Sequence, residues 1–133
     1  VSSGTGKVKI LSHKTWLACG TQIVPELVSG QIQGGVVMGI GHALYEDLPR
    51  DATGPGNGRW GLNRYHVPRA SEVAVWSAQG DVLPPLSRTD PPKGMAEVVM
   101  IPVVAACVNA VANATGKRFY ATPVTPEKIK EVL

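Results

Sequence analysis

An α+β fold is predicted by three features of this 133-residue sequence. A polar–apolar alternation near the start reads as a strand, a long glycine-bearing stretch after Pro25 reads as a helix, and a nearly all-apolar stretch before Gly116 reads as a second, buried helix. Irregular Gly- and Pro-rich segments separate them, so strands and helices do not alternate regularly, as they would in a doubly wound sheet. The expected architecture is a set of mixed strands packed against the two helices.

Each element follows from local chemistry. Lys7–Trp16 (KVKILSHKTW) alternates for its first half after a Ser/Gly/Thr turn, and Ala18–Thr21 breaks it. Pro25 suits the first turn of a helix, which the pattern carries over Glu26–Leu48. That helix holds Gly30, Gly34, Gly35, Gly39 and Gly41; each glycine costs about 0.8–1.0 kcal/mol relative to Ala, so packing has to compensate. Gly35 and Gly39 are four apart and share a face, where another backbone or a bulky ligand has room to approach. Arg50–Gly61 is an aperiodic loop, and Leu62–Pro68 and Ser71–Ala78 read as short extended pieces. Leu83–Lys93 (LPPLSRTDPPK) holds four prolines and must be irregular. Val98–Ala114 reads as the buried helix, with Gly116 as its stop signal. Thr125, Pro126 and Glu127 supply an N-cap, a first-turn proline and a first-turn acid for a short terminal helix.

Composition narrows the possible functions. Hydrophobic residues make up 44% and charged residues 17%, against about 25% charged in an average soluble domain. So little polar surface suggests an interior piece of a larger molecule or a subunit with a large interface, and the first of these is expected here. The net charge of +3 is spread without aromatic interleaving, so nucleic-acid binding has no support. Cys19 and Cys107 are far apart, without the spacing of a zinc or iron–sulfur site, and no metal ligands are predicted. Cys107 reads as a buried small hydrophobe. No apolar run approaches the ~20 residues of a membrane span. His13, His42 and His66 fall on different elements and read as surface or packed residues.

Glu97 is the only carboxylate between Asp90 and Glu127, and it sits in the uncharged run Gly94–Met100. At the mouth of a buried helix it would be desolvated, which raises a carboxyl pKa toward values useful to a general base. The alternative is an acid that merely complements the helix dipole. Gln31 and Gln33 precede the Gly34–Gly35 pair, where amides are placed to bind a polar ligand or simply to face solvent. The glycine cluster lacks both the GxGxxG order after a strand and a Walker lysine, so it is not a phosphate loop.

Five ordered motifs run almost the length of the chain: TGKVKILSHKTWLACG, GQIQGGVVMGIGHALYEDL, LNRYHVPRASEV, DPPKGMAEVVMIPVVAACVNAVANATGKR and TPEKI. Together they resemble the C-terminal part of the molybdopterin-binding large subunit of the xanthine oxidase family, the molybdenum hydroxylases that include aldehyde oxidoreductases. The resemblance implies that residues 1–133 are one segment of a larger molybdenum-cofactor-binding domain and are not independently functional. It puts Gln31 against a molybdopterin-type cofactor, whose dinucleotide form it leaves open between cytosine and others, with Gly34 and Gly35 at the close approach. The family's Gly-x-Gly-Glu-Pro pattern falls on Gly94–Val98, which makes Glu97 the catalytic base. Ala96 and Val98 depart from that pattern, which bears on substrate type.

The implied reaction is oxidation of an aldehyde or an aromatic N-heterocycle, with water as the oxygen source. Electrons would leave through [2Fe–2S] clusters and FAD or haem on other domains or subunits, since this chain lacks the cysteines for a cluster. Implied partners are the remainder of the large subunit, an iron–sulfur subunit or domain, a flavin or cytochrome subunit, and a small-molecule substrate. Family members act in the bacterial cytoplasm or periplasm, and the sequence does not choose between them. The competing reading is a non-catalytic module that keeps the family's packing without its cofactor.

Overall fold

The structure, a computed structural model, describes residues 1–49, 61, 63–73 and 77–133, with the side chains of 73 and 77–79 outside the description. Its elements in chain order are β1 (Ser12–Leu17), α1 (Pro25–Leu44), α2 (Ala70–Val73), β2 (Ser77–Val82), α3 (Met100–Thr115) and α4 (Pro126–Lys130). β1 and β2 pair in parallel, with Ser12 opposite Ser77 and Leu17 opposite Val82. α1 is the middle layer, packed on β2 through Ile32 against Gly80 and on α3 through its glycine face.

The core is built on a four-residue rhythm. Val28, Ile32, Val36 and Ile40 of α1 are buried, and so are Val99, Val103 and Cys107 at and within the start of α3. Residues four apart form one ridge on a helix, and two such ridges interdigitate. The ridge of α3 drops into the gap left by glycine: a methyl group at Gly35 would lie 2.7 Å from Val99 Cβ, and one at Gly39 would lie 2.5 Å from Val103 Cβ. The approach expected at that face is therefore made by a neighbouring helix. Close packing there offsets the weak propensity of α1. Val124 closes one end, its N–H donating to the Ala43 carbonyl at 2.7 Å.

Several expectations need correcting. The strand expected over Lys7–Trp16 is found over Ser12–Leu17, the six residues that pair with β2. Val8 and Ile10 instead lie against the core without a strand partner among the described residues. α1 stops at Leu44 rather than Leu48: Tyr45 has φ −129°, and Pro49 disfavours helical geometry at Leu48. Of the stretch expected to be extended over Ser71–Ala78, residues 71–73 are helical as part of α2, while Ser77 and Ala78 lie in β2. In α2, Glu72 reaches back to the Arg69 N–H at 2.8 Å, half of a capping box. Leu62 and all of Arg50–Gly61 except Gly61 lie outside the described residues.

α3 is not buried all round. Val103, Cys107 and Val111 point inward, whereas Ile101 is 68% exposed, because α1 covers only one face of the helix. Its predicted stop holds, with Gly116 at φ 70° and its N–H on the Ala112 carbonyl. α4 begins as its signals require, the Thr125 hydroxyl accepting from the Lys128 N–H. The Pro-rich run Leu83–Lys93 has no helix or strand, and Asp90 folds it into a turn by accepting from the Leu86 N–H at 3.2 Å.

Candidate functional site

The site forms where the β1–α1 junction meets the segment that leads into α3. Gly20, at φ 65°, lets the chain turn closely against Pro91. The Lys93 N–H donates to the Cys19 carbonyl at 2.9 Å, and the Thr21 hydroxyl donates to the Asp90 carbonyl at 2.6 Å. About two turns into α1, the side-chain amide Nε2 of Gln31 donates to the Ala96 carbonyl. That contact joins positions 65 residues apart and brings Gln31 beside the residue that precedes Glu97.

A cleft of about 390 Å³ opens between these two stretches. Val24, Leu27 and Met95 give it an apolar wall, and Thr21, Gln22, Gln31 and Lys93 supply its polar groups. Lys93 is the one charged residue among the described residues that line it. An apolar pocket with a few convergent polar groups is the usual form of a small-molecule site. Because the partner of Gln31 is a carbonyl, the amide must present its nitrogen, which leaves Oε1 free to accept.

The residues singled out in the sequence fall as follows. Gln31 and Glu97 are brought into one neighbourhood, and both are exposed. The burial expected at Glu97 is not found among the described residues, where Glu97 is exposed: Val99 turns inward, but Val98 is 42% exposed. Among the described residues, nothing beyond the adjacent backbone of α1 lies within 4 Å of the place a methyl group on Gly34 would occupy, so that face of the helix is open. The equivalent space at Gly35 is filled by Val99. Gln33 only spans a helical turn, donating to Ser29 Oγ at 3.2 Å. Cys19 and Cys107 are buried and unpaired, and burial pushes the Cys107 thiol up to about 11.

A second polar cluster, at the far end of α1, escaped the sequence reading. Tyr45 stacks on His66 with ring centroids 5.0 Å apart, His66 pairs with Glu72 at 3.0 Å, and the Tyr65 hydroxyl donates to Glu46 at 2.5 Å. The Arg69 N–H and then His66 hold the Glu72 carboxyl below its usual range, while Glu46, as hydrogen-bond acceptor, pushes the Tyr65 hydroxyl up. The spacing of Arg69 and Glu72 was the available signal, masked because the cap residue is an arginine rather than Ser, Thr, Asp or Asn. Burial lowers the pKa of His13, whose ring meets the Thr15 hydroxyl at 3.2 Å.

Known proteins resemble this chain in sequence and fold. Residues 1–74 match the family described as the molybdopterin cofactor-binding domain. The large subunit of nicotine 6-hydroxylase from Paenarthrobacter nicotinovorans is 36% identical over 128 residues, 94% of this chain and 16% of that protein. The molybdenum-binding subunit of an Escherichia coli aldehyde oxidoreductase is 31% identical over 134 residues, 100% of this chain and 18% of that protein. Among solved structures, the aldehyde oxidoreductase of Desulfovibrio desulfuricans superposes on the whole chain with a TM-score of 0.78 at 25% identity, using 14% of that chain. Quinoline 2-oxidoreductase of Pseudomonas putida superposes on 91% of this chain with a TM-score of 0.70 at 31% identity, using 15% of that chain. The chain thus spans 14 to 18% of the length of these four relatives.

Proposed function

Because the chain belongs to the molybdopterin cofactor-binding domain family of xanthine oxidase-type molybdenum oxidoreductases, we propose that it forms one wall of the cofactor site in an enzyme that oxidises an aldehyde or an aromatic N-heterocycle, with water as the oxygen source and Glu97 as general base. The observation that carries this reading is the hydrogen bond from Gln31 to Ala96, two residues that line the cleft, which holds the backbone next to Glu97 against α1.

The residues present fit the cofactor. Gln31 and Gly34 are three apart, so they are neighbours on the surface of α1, and the open helix face at Gly34 leaves the space a flat ring system needs. Gln31 Oε1 and the remaining N–H of its amide have no partner among the described residues and can pair with such a ring. Gly35 supports the same turn from beneath, through α3. When bound, the molybdenum cofactor supplies the two-electron oxidation.

The chain's own groups orient and move a proton. The carboxylate oxygens of Glu97 accept the proton lost by the water-derived nucleophile as it attacks the electrophilic carbon. An exposed carboxylate is reachable for that task. Any [2Fe–2S], flavin or haem centre that takes up the electrons would be held by residues outside this chain.

Replacement of Glu97 by Gln in the complete enzyme tests the assignment. Turnover is expected to fall by about 100- to 10,000-fold, the usual contribution of a positioned base, at unchanged molybdenum content. Retained turnover with the metal bound would remove Glu97 from the role.

A further inference from the structure

We infer that Gln31 and Gly35 form a two-point gauge on α1 that fixes where the Glu97 carboxylate stands, which makes both of them positioning residues; this rests on the reading of Glu97 as the base. Glu97 lies in neither a helix nor a strand, so its placement has to come from contacts on either side. On its N-terminal side, the carbonyl of Ala96 is held by Gln31 Nε2. On its C-terminal side, Val99 is 2% exposed and occupies the space that the missing side chain of Gly35 leaves open.

Gln31 and Gly35 are one turn apart on the same face of α1, separated by about 6 Å along its axis. Ala96 and Val99 are three apart in a chain that turns into α3, its first turn closed by the Met100 N–H on the Glu97 carbonyl at 3.0 Å. Glu97 and Val98 are therefore strung between two anchors on a single rigid helix. Among the described residues, the other tethers of this segment, at Asp90 and Lys93, act four or more residues upstream and leave Glu97 free to swing. Neither anchor can be replaced conservatively. A glutamate at 31 would set a carboxylate against a carbonyl, and a methyl group at 35 would displace Val99.

The test uses Gln31→Met, Gly35→Ala and Glu97→Gln in the complete enzyme. It follows the pH profile of kcat/KM, the kcat and KM separately, the molybdenum content, and hydrogen exchange over residues 93–99. Gln31→Met is expected to lower kcat by about 10- to 100-fold, the cost of misplacing a reacting group by about 1 Å. KM should stay nearly constant, the acidic limb of the profile should move, and exchange over 93–99 should quicken at wild-type molybdenum content. Activity lost in proportion to molybdenum, with profile and exchange unchanged, would make Gln31 a cofactor ligand only and overturn the gauge. If Glu97→Gln is inactive while Gln31→Met keeps the wild-type rate and profile, the gauge fails and the base stands; if Glu97→Gln turns over normally, the base assignment itself fails. Should Gly35→Ala not fold, Gln31→Met decides alone.

Discussion

At Gly39 a missing side chain outweighs helix propensity. Alanine there would gain about 0.8–1.0 kcal/mol as a helix former, but its methyl group would sit 2.5 Å from Val103 Cβ, which is fully buried. Overpacking of this kind costs about 1–3 kcal/mol, so Gly39→Ala is expected to lower the thermal midpoint of the complete protein, and an unchanged or raised midpoint would contradict the packing. The sequence revealed that Gly35 and Gly39 share a face. It did not reveal which surface fills that face, because the meeting of α1 with α3 is a long-range event. Glu97 shows the same boundary: its apolar neighbours were legible, but not that Val98 turns outward while Val99 turns inward. Gln31 was singled out for a cofactor, and its bond to Ala96, 65 residues away, has no trace in local pattern.

Elements were legible where their end signals were conventional. α4 was predicted from Thr125, Pro126 and Glu127, and the end of α3 from Gly116. α2 was missed because its capping interaction is made by Glu72 reaching back to Arg69, and β1 was overextended because alternation does not reveal how long a partner strand is. The Glu72 cap has a measurable pH signature. Its carboxyl is held below the ordinary 4.5 by the Arg69 N–H and then by His66. A depressed carboxyl stabilises the fold fully above its unfolded pKa, and this stabilisation is lost as pH falls through the lower folded value. Amides of Ala70–Val73 are expected to lose protection from exchange as pH drops below about 4.5, after correction for the intrinsic rate. Glu72→Gln should show reduced protection already at neutral pH, and protection identical in the variant and independent of pH would exclude the cap.

The whole molecule explains the charge-poor composition. Ile23 is 78% exposed, Leu27 69%, Ile101 68% and Leu11 73%, and both outer edges of the two-stranded sheet lack a partner among the described residues. Monomeric proteins rarely leave so much apolar surface open, and an isolated strand pair is marginal in water. The 133-residue chain prepared alone is therefore expected to bind a hydrophobic dye and to associate as its concentration rises. A monodisperse monomer that ignores the dye would show that this surface needs no cover. The parallel register of β1 and β2 has a kinetic consequence as well. Ser12 meets Ser77, and Cys19 and Gln31 meet Lys93 and Ala96, so both halves of the cleft come from distant stretches of chain. Contacts of such long sequence separation form slowly, because the intervening loop has to be closed first. The local turns of α1 and α3 can form early, but the cleft exists only after they have docked, so occupancy of the cleft would report a finished fold.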